Sequence, residues 1–426
     1  MVTSEKERFE DRSAEKNEPE STRSTQSEPV AEMLEDEDRI RADDRVEVVD
    51  EEEAAAQAGD DEEERLYVAT QWQLIWWKFR RHKMALVGSG ILILFYIIGL
   101  FAEFVAPYDP SAYFARYKMA PPTRVRIVDA EGNLRAPFVY RRIRERDPET
   151  LLYTYDEDTS IIYPIQFFSK GTPYKLWGLF ETDVHLFNID AEREEQAIFL
   201  FGADRLGRDI FSRMCYGARI SLSIGLVGVF LSLILGIFLG GISGYYGGRV
   251  DDIIQRSIEF IRTIPSIPLW MALSAALPPD WPVVRVYFGI TVIISLIGWT
   301  GMARVVRGRF LQLRQEDFVL AARLCGSSEL RVITRHMVPS FLSHIIASLT
   351  LSIPGTILAE TSLSYIGLGL RAPAISWGVL LREAQNVRSI AQAPWVFAPA
   401  FAVILTVFAF NFVGDGMRDA ADPYAR

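Results

Sequence analysis

Five stretches of this chain run for at least 18 residues without Asp, Glu, Lys or Arg: Met84–Ala102, Ile220–Gly248, Val286–Ala303, Met337–Ala359 and Ser389–Gly414. Roughly 20 apolar residues carry a helix across the hydrocarbon core of a bilayer. Helices are favoured there because they bond every backbone N–H and C=O internally. A sixth stretch, Thr263–Pro279, is shorter and holds Pro265 and Pro268. Extended back through Ile253, Ile254 and Ile261 it counts as a span. The pattern predicts an all-α integral membrane protein of six transmembrane helices and excludes an ordinary soluble domain.

Six spans put both termini on one face, and Lys and Arg in the short connections choose it. With both termini cytoplasmic, the inner segments 78–83, 249–262, 304–335 and 415–426 carry 4, 3, 7 and 2 basic residues. The short outer segments hold only Arg285, Arg371, Arg382 and Arg388. Trp76 and Trp77 stand just before the first span, where an interfacial anchor is expected. Gly236, Gly240 and Gly244 share one helix face, a spacing that lets two backbones approach closely. The partner is a helix of this chain or of another.

The net charge of −10 hides two unlike parts. Residues 1–65 hold 25 acidic and 9 basic residues, a net of −16, and the remainder holds 30 and 36, a net of +6. The first segment has too few large apolar residues to offset the entropy of ordering, so it is expected to be a disordered acidic cytoplasmic tail. It lacks the basic-then-apolar start of a signal peptide. Residues 66–107 are expected to hold the N-terminal segment and first span, 108–200 a small β-rich extracytoplasmic insert, and 201–426 five further spans. Within the insert, 125–128 and 137–140 flank the glycine turn Asp129–Asn133, a hairpin pattern. Ile161–Tyr163 and Ile165–Phe168 are further strand candidates.

Little in the chain speaks for catalysis. Its 2 cysteines lie far apart, and its 4 histidines form no HExxH pair. No Gly-Lys dipeptide occurs, so no P-loop lysine follows a phosphate-binding turn. No catalytic residue, metal site or bound cofactor is expected, and no nucleic-acid partner. His344 and Glu360 are ionisable groups at or near membrane depth, where such groups are costly unless paired or facing water. Glu360 suits either the outer mouth of a pathway or an ion pair with an outer-loop arginine such as Arg371. Arg205, Arg208 and Asp209 are spaced to share one helix face.

The basic connection 304–338 reads Arg304-Val-Val-Arg-Gly-Arg-Phe310, then Phe318-Val-Leu-Ala-Ala-Arg-Leu-Cys-Gly326, then Arg335-His-Met-Val-Pro339. It is a short Ala-rich helix broken at a glycine. In Ala321, Ala322, Gly326 and Pro339 it resembles the cytoplasmic signature of the permease subunits of binding-protein-dependent ABC importers. Leu320 replaces the usual Glu and Val338 the usual Leu. Further motifs resemble the C-type subunit of the dipeptide/oligopeptide/nickel group. One is 202–213 with 216–223, holding Asp204, Gly207, Arg208, Asp209, Arg213, Gly217 and Arg219. The others are Glu360–Gly369, holding Gly367 and Gly369, Ser376–Gly378 around Trp377, and 411–423. The resemblance covers 70–107 and 195–426.

That resemblance implies the type I ABC importer permease fold, with Phe318–Gly326 as the coupling helix that docks on an ATPase subunit. It implies a second homologous permease, two ATPase subunits that use the ATP, an extracytoplasmic solute-binding protein, and a place in the cytoplasmic membrane. Glu360, Gly367, Gly369 and Trp377 would then lie toward the outer end of the pathway. A peptide is the expected cargo; nickel chelate, oligosaccharide or another solute is the alternative, and a non-transporting scaffold or receptor is a third reading.

Overall fold

A computed structural model describes residues 70–146, 148–149, 153–190, 196–386 and 391–421. The acidic tail expected over 1–65 lies outside the described residues. From Gln71 onward the chain forms one compact unit, mostly helical, with one four-stranded antiparallel sheet among the described residues.

Helix α1 (Gln71–Arg81) is amphipathic, burying Ile75 and Phe79 while Trp72 and Trp76 are exposed. His82 Nδ1 accepts from the Ala85 amide and caps α2 (Lys83–Leu100), an uninterrupted apolar helix of 18 residues. The chain then builds β1 (Arg126–Val128), β2 (Leu134–Arg146), β3 (Tyr153–Leu176) and β4 (Phe180–Ile189). They pair antiparallel in the order 1-2-3-4. Asp129 Oδ1 accepts from the Glu131 and Asn133 amides, and Gly132 takes φ +87°, which closes the β1–β2 turn. Strand candidates 161–163 and 165–168 are both part of the long β3. The sheet buries Val139, Ile165, Phe187 and Ile189 against Tyr108, Tyr117 and Phe199.

Helix α3 (Ile210–Tyr246) follows, 37 residues long. At 1.5 Å per residue it measures roughly 55 Å, well beyond the thickness of an apolar bilayer core. Then come α4 (Gly248–Thr263), α5 (Ser266–Ala275), α6 (Val283–Leu313), α7 (Asp317–Leu324), α8 (Leu342–Ile366), α9 (Trp377–Ala384) and α10 (Ala398–Ala421). Among the described residues, five helices are long and apolar enough to cross a membrane: α2, α3, α6, α8 and α10 with its preceding 3-10 turn.

The sixth expected span is where the structure differs. Thr263–Pro279 is broken into the end of α4 and the ten-residue α5. Ile264 is extended, at φ −81° and ψ 127°, because Pro265 excludes the helical region for its predecessor. Length and composition therefore qualify five helices rather than six.

The three glycines of α3 face α6 of the same chain. A β-carbon on Gly236 would lie 2.6 Å from Met302 Cβ, one on Gly244 2.8 Å from the Arg307 carbonyl, and one on Gly240 would overlap the Ala303 carbonyl. Nearer the other end, Ser295 donates to the Gly228 carbonyl at 2.9 Å and the Tyr287 hydroxyl donates to Ser223 Oγ at 3.0 Å. Contacts that rise together from 223/287 to 244/310 make α3 and α6 parallel. Helix α8 runs antiparallel to α3, with Gly225 against Ile357 and Ser221 beside Glu360. Helix α10 lies antiparallel to α2, with Gly88 against Ala409 and Gly416 against Ala85.

The bundle has two polar ends. The sheet sits where α2 stops and α3 starts, with His185 Nδ1 2.7 Å from the Ala106 carbonyl. The opposite end gathers the C-termini of α3 and α6, helix α7 and the start of α2. There Arg307 donates to Asp251 through Nε at 2.6 Å and Nη2 at 2.5 Å, and Ser243 Oγ donates to the same carboxylate. The cluster joins α3, α4 and α6.

Gly240→Ala forces α3 off α6 and is expected to lower the thermal midpoint of the detergent-solubilised protein, by about 1–3 kcal/mol of overpacking. Gly301→Ala, whose β-carbon meets nothing within 4 Å, is expected to leave it unchanged. The hydrogen bonds from Arg307 hold the Asp251 carboxyl below its ordinary value of 3.8. A depressed folded-state value contributes stability that is full above about pH 4 and lost as pH falls through that range. The midpoint difference between wild type and Asp251→Asn should therefore shrink below about pH 4; a difference that stays constant would remove the charge explanation.

Candidate functional site

At the end away from the sheet, the connection between α6 and α8 folds into a projecting element. Glu316 stands at the N-cap of α7 and Asp317 in its first turn, where carboxylates meet the positive end of the helix. The helix is anchored by one side: Val319 is fully buried with Phe310, Val332, Met337, Phe341 and Tyr245, and Ala322 packs beside them. Its other side is open. Phe318 and Leu320 are exposed, and Leu324 is 89% exposed. Ala321 lies on the same open surface.

Gly326 ends the helix at φ +78°, the left-handed region that a β-carbon disfavours, and a β-carbon there would touch nothing. The demand is thus conformational rather than steric. The Arg323 guanidinium lies 4.7 Å over the Tyr245 ring, and the Tyr246 hydroxyl donates to Glu329 at 2.7 Å. Both fix the element to the end of α3. The chain returns through a π-helical stretch, Val332–Met337, and an exposed Pro339 at the start of a short turn before α8.

At the sheet end, the motif before α3 builds an ionic cluster. Asp204 Oδ1 accepts from the Leu206 and Arg208 amides, forming a turn through Gly207 at φ +84°. Arg208 donates to Asp204 Oδ2 at 2.7 Å and Arg213 to the same oxygen at 3.0 Å. Both arginines also bind Glu383 of α9, at 2.7 and 2.6 Å. Asp209 is the N-cap of α3, accepting from the Ser212 amide and hydroxyl. Burial pushes its carboxyl up to about 7, against the pull of those hydrogen bonds. Arg205, Arg208 and Asp209 therefore do not share a helix face: Arg205 and Arg208 flank the Gly207 turn that precedes α3, and Asp209 caps that helix. Glu383 escaped the sequence reading, since a lone acid on a short helix carries no local signal of its distant arginines.

Arg219 stands nearly two turns beyond Arg213 along α3. It donates to both carboxylate oxygens of Glu103, at 2.7 and 2.5 Å, and to the carbonyls of Gly99 and Leu100 that end α2.

A third group gathers around Glu360. This carboxylate is fully buried. Ser364 and Ser376 hydroxyls donate to it at 2.8 Å, and Ser221 of α3 lies 3.5 Å away. Arg371, the ion-pair partner considered from sequence, instead donates from Nε to the Gly367 carbonyl, so that pairing is not formed. Trp377 is buried; its amide donates to Ser221 and its indole to the Met214 carbonyl. Gly217 lets that indole approach, since a β-carbon would lie 3.1 Å from it. Gly367 caps α8 at φ +93°, and Gly369 folds back on Ser364 within contact distance. Three motifs distant in sequence thus meet in one packed junction of α3, α8 and α9.

Residues 233–426 match the model of the binding-protein-dependent transport system inner membrane component. Residues 70–122 match the N-terminal transmembrane domain of oligopeptide transport permease C. Over 228 residues the chain is 40% identical to the dipeptide transport system permease protein DppC of Bacillus subtilis (strain 168), covering 53% of this chain and 69% of that one. The chain belongs to the C-type permease subunits of binding-protein-dependent ABC importers. It is 39% identical over 239 residues to the oligopeptide transport system permease protein OppC of the same strain, covering 56% and 76%. With the glutathione transport system permease protein GsiD of Escherichia coli O157:H7 it shares 32% over 356 residues, 84% of this chain and 91% of that one. As a permease it is a multi-pass inner-membrane subunit. The two family models leave residues 123–232, including the whole sheet, between them.

Glu383→Gln leaves two arginines short of a counter-charge at a site where Arg213 is nearly buried, and breaking such a pair costs about 3–5 kcal/mol. A large fall in thermal midpoint is expected, with partial recovery in Glu383→Gln/Arg208→Gln because one of the unpaired charges is gone. Failure of the double variant to recover would show that packing, not charge, is lost.

Proposed function

We propose that this chain forms half of the translocation pathway of an ATP-driven peptide importer, working with a second, homologous permease. ATP is bound and hydrolysed on two partner ATPase subunits, and a solute-binding protein delivers the peptide on the sheet side. The chain itself binds no cofactor. The cargo assignment rests on the relatives, which are named for dipeptide, oligopeptide and glutathione transport.

The observation that carries the reading is α7. A small helix clamped by a buried Val319, with Phe318, Leu320 and Leu324 turned outward, offers a partner an apolar knob on a rigid base. Its roots are the ends of α3 and α6, so a push on α7 reaches two spans directly, as alternating access requires. Leu320, where the family carries Glu, adds apolar surface to the knob.

We place six passages across the membrane and both termini in the cytoplasm. Helices α3 and α6 are parallel, so the chain between them returns across the bilayer; the apolar face of α4 from Ile253 onward, continued into α5, supplies that passage and leaves Asp251 at the inner end. The basic connections 78–83 and 304–335 then lie inside with α7, and the sheet lies outside. The segment 1–65 becomes a cytoplasmic acidic tail.

The test is reconstitution of the complete importer in liposomes, measuring peptide uptake and ATPase activity stimulated by loaded binding protein. Gly326→Val imposes the roughly 1–2 kcal/mol cost of a left-handed residue with a β-carbon. It is expected to reduce stimulated ATPase and uptake by about tenfold, since 1.4 kcal/mol is one decade. Gly308→Val, at an open position with ordinary φ, is expected to leave both unchanged. Undiminished coupling in Gly326→Val would remove α7 from the docking role, and a copurified binding protein loaded with sugar or metal chelate would remove the peptide.

A further inference from the structure

The β3–β4 hairpin extends beyond the core of the sheet. Its pairing runs from Ile165↔Ile189, which are buried, out to Leu176↔Phe180 at the tip. On the way it follows, in reverse, the chain that leaves α2. His185 meets the Ala106 carbonyl, the Phe168 ring lies 6.0 Å from Phe104, and the Trp177 ring lies 5.5 Å from Phe101. Finally the Trp177 indole N–H donates to the Leu100 carbonyl at 2.7 Å. Leu100 is the last residue of a membrane span. The hairpin therefore descends from the sheet to the depth at which α2 leaves the bilayer.

That depth is marked independently. Arg219 binds the Gly99 and Leu100 carbonyls and the Glu103 carboxylate, an arrangement suited to the polar boundary of the membrane. Apart from Gly178, which turns the chain at φ +73°, the tip lacks the Asn and Asp of a turn meant for water. Leu179 is 75% exposed, Phe180 61% and Phe168 67%. Trp177 occupies φ +52°, a backbone conformation that a bulky residue disfavours. The charges along the hairpin pair with each other at its surface, Lys175 with Glu181 at 2.9 Å and Lys170 with Asp183 at 3.7 Å, so they leave it no net charge. It is continuous with Ile93, Leu94, Ile97 and Leu100, the outward side chains of α2.

We propose that the hairpin tip, Trp177–Phe180, is a membrane anchor lying in the interfacial layer of the leaflet on the sheet's side. Trp177 sits at headgroup level, where an indole combines an apolar ring with a hydrogen-bonding edge. Leu179 and Phe180 reach the upper acyl chains. The anchor fixes the height of the sheet above the bilayer.

The test uses the full chain in phosphatidylcholine nanodiscs, in the Cys325→Ser background; Cys215 is buried. Nitroxide labels are placed singly at Leu179→Cys, at Leu94→Cys on the outward face of α2, and at Leu134→Cys, 81% exposed in the β1–β2 hairpin. Collision rates with oxygen, which concentrates in lipid, and with a water-soluble nickel chelate are read for each. The label at 179 is expected to show an oxygen-to-nickel ratio several-fold above that at 134 and close to that at 94. A ratio equal to that at 134 overturns the proposal, because the tip is then in water. Low collision with both reagents also overturns it, because the tip is then covered by protein.

Discussion

Along its 37 residues α3 meets α6 through Gly228, Gly236, Gly240 and Gly244, and α8 through Ser221 and Gly225. Lipid tails are as apolar as leucine, so burying leucine between helices yields little in a membrane. Close approach and interhelical hydrogen bonds are what hold spans together. Helix α3 has its small residues where its neighbours cross, and its large ones, such as Leu226, Phe230, Ile234 and Phe238, are exposed. The remaining architecture is arranged about this one helix. Its first turns carry the ionic cluster and Arg219 at the sheet end, and its last turns hold Tyr245 and Tyr246 against the α7 element.

Charged side chains that join the helices are held in ion pairs. Arg208 and Arg213 share Asp204 and Glu383, Arg219 has Glu103 together with two helix-end carbonyls, and Arg307 has Asp251. All of these lie toward the ends of the bundle. Glu360 is the exception in kind, a buried carboxylate served by serine hydroxyls from α8 and the α9 cap. Because Ser376 and Trp377 of α9 meet Ser221 and Glu360 there, the junction ties the short helix α9 to both long ones. The same α9 delivers Glu383 to the arginines. A single eight-residue helix therefore connects two polar networks, and its placement is decided at Ser376, whose hydroxyl both caps the helix and donates to Glu360.

Much of the membrane frame was legible in the sequence, because hydrocarbon imposes a rule that needs no tertiary information. Charge-free stretches of span length located α2, α3, α6, α8 and α10. The left-handed demand at Gly326 and the small residues Ala321 and Ala322 stood out as a motif, and the glycine spacing of α3 announced a close contact. What stayed hidden were relations between distant residues. Glu383 reads as an ordinary charge on a short helix. Arg371 looked as good a partner for Glu360 as any, and Arg205, Arg208 and Asp209 looked like one helix face until Gly207 turned the chain.

By itself the sequence determined that this chain lives in a bilayer, where its main spans run, and that a small helix ends in a glycine on the basic side; each follows from local chemistry, namely backbone hydrogen bonding without water and the freedom of a residue lacking a β-carbon. Tertiary structure alone decided which helix the α3 glycines face, that α3 and α6 run parallel across a proline-broken connection, what surrounds Glu360, and that an aromatic hairpin reaches down to Leu100. Those outcomes depend on the direction and depth at which separate segments meet, and no spacing within one segment encodes that.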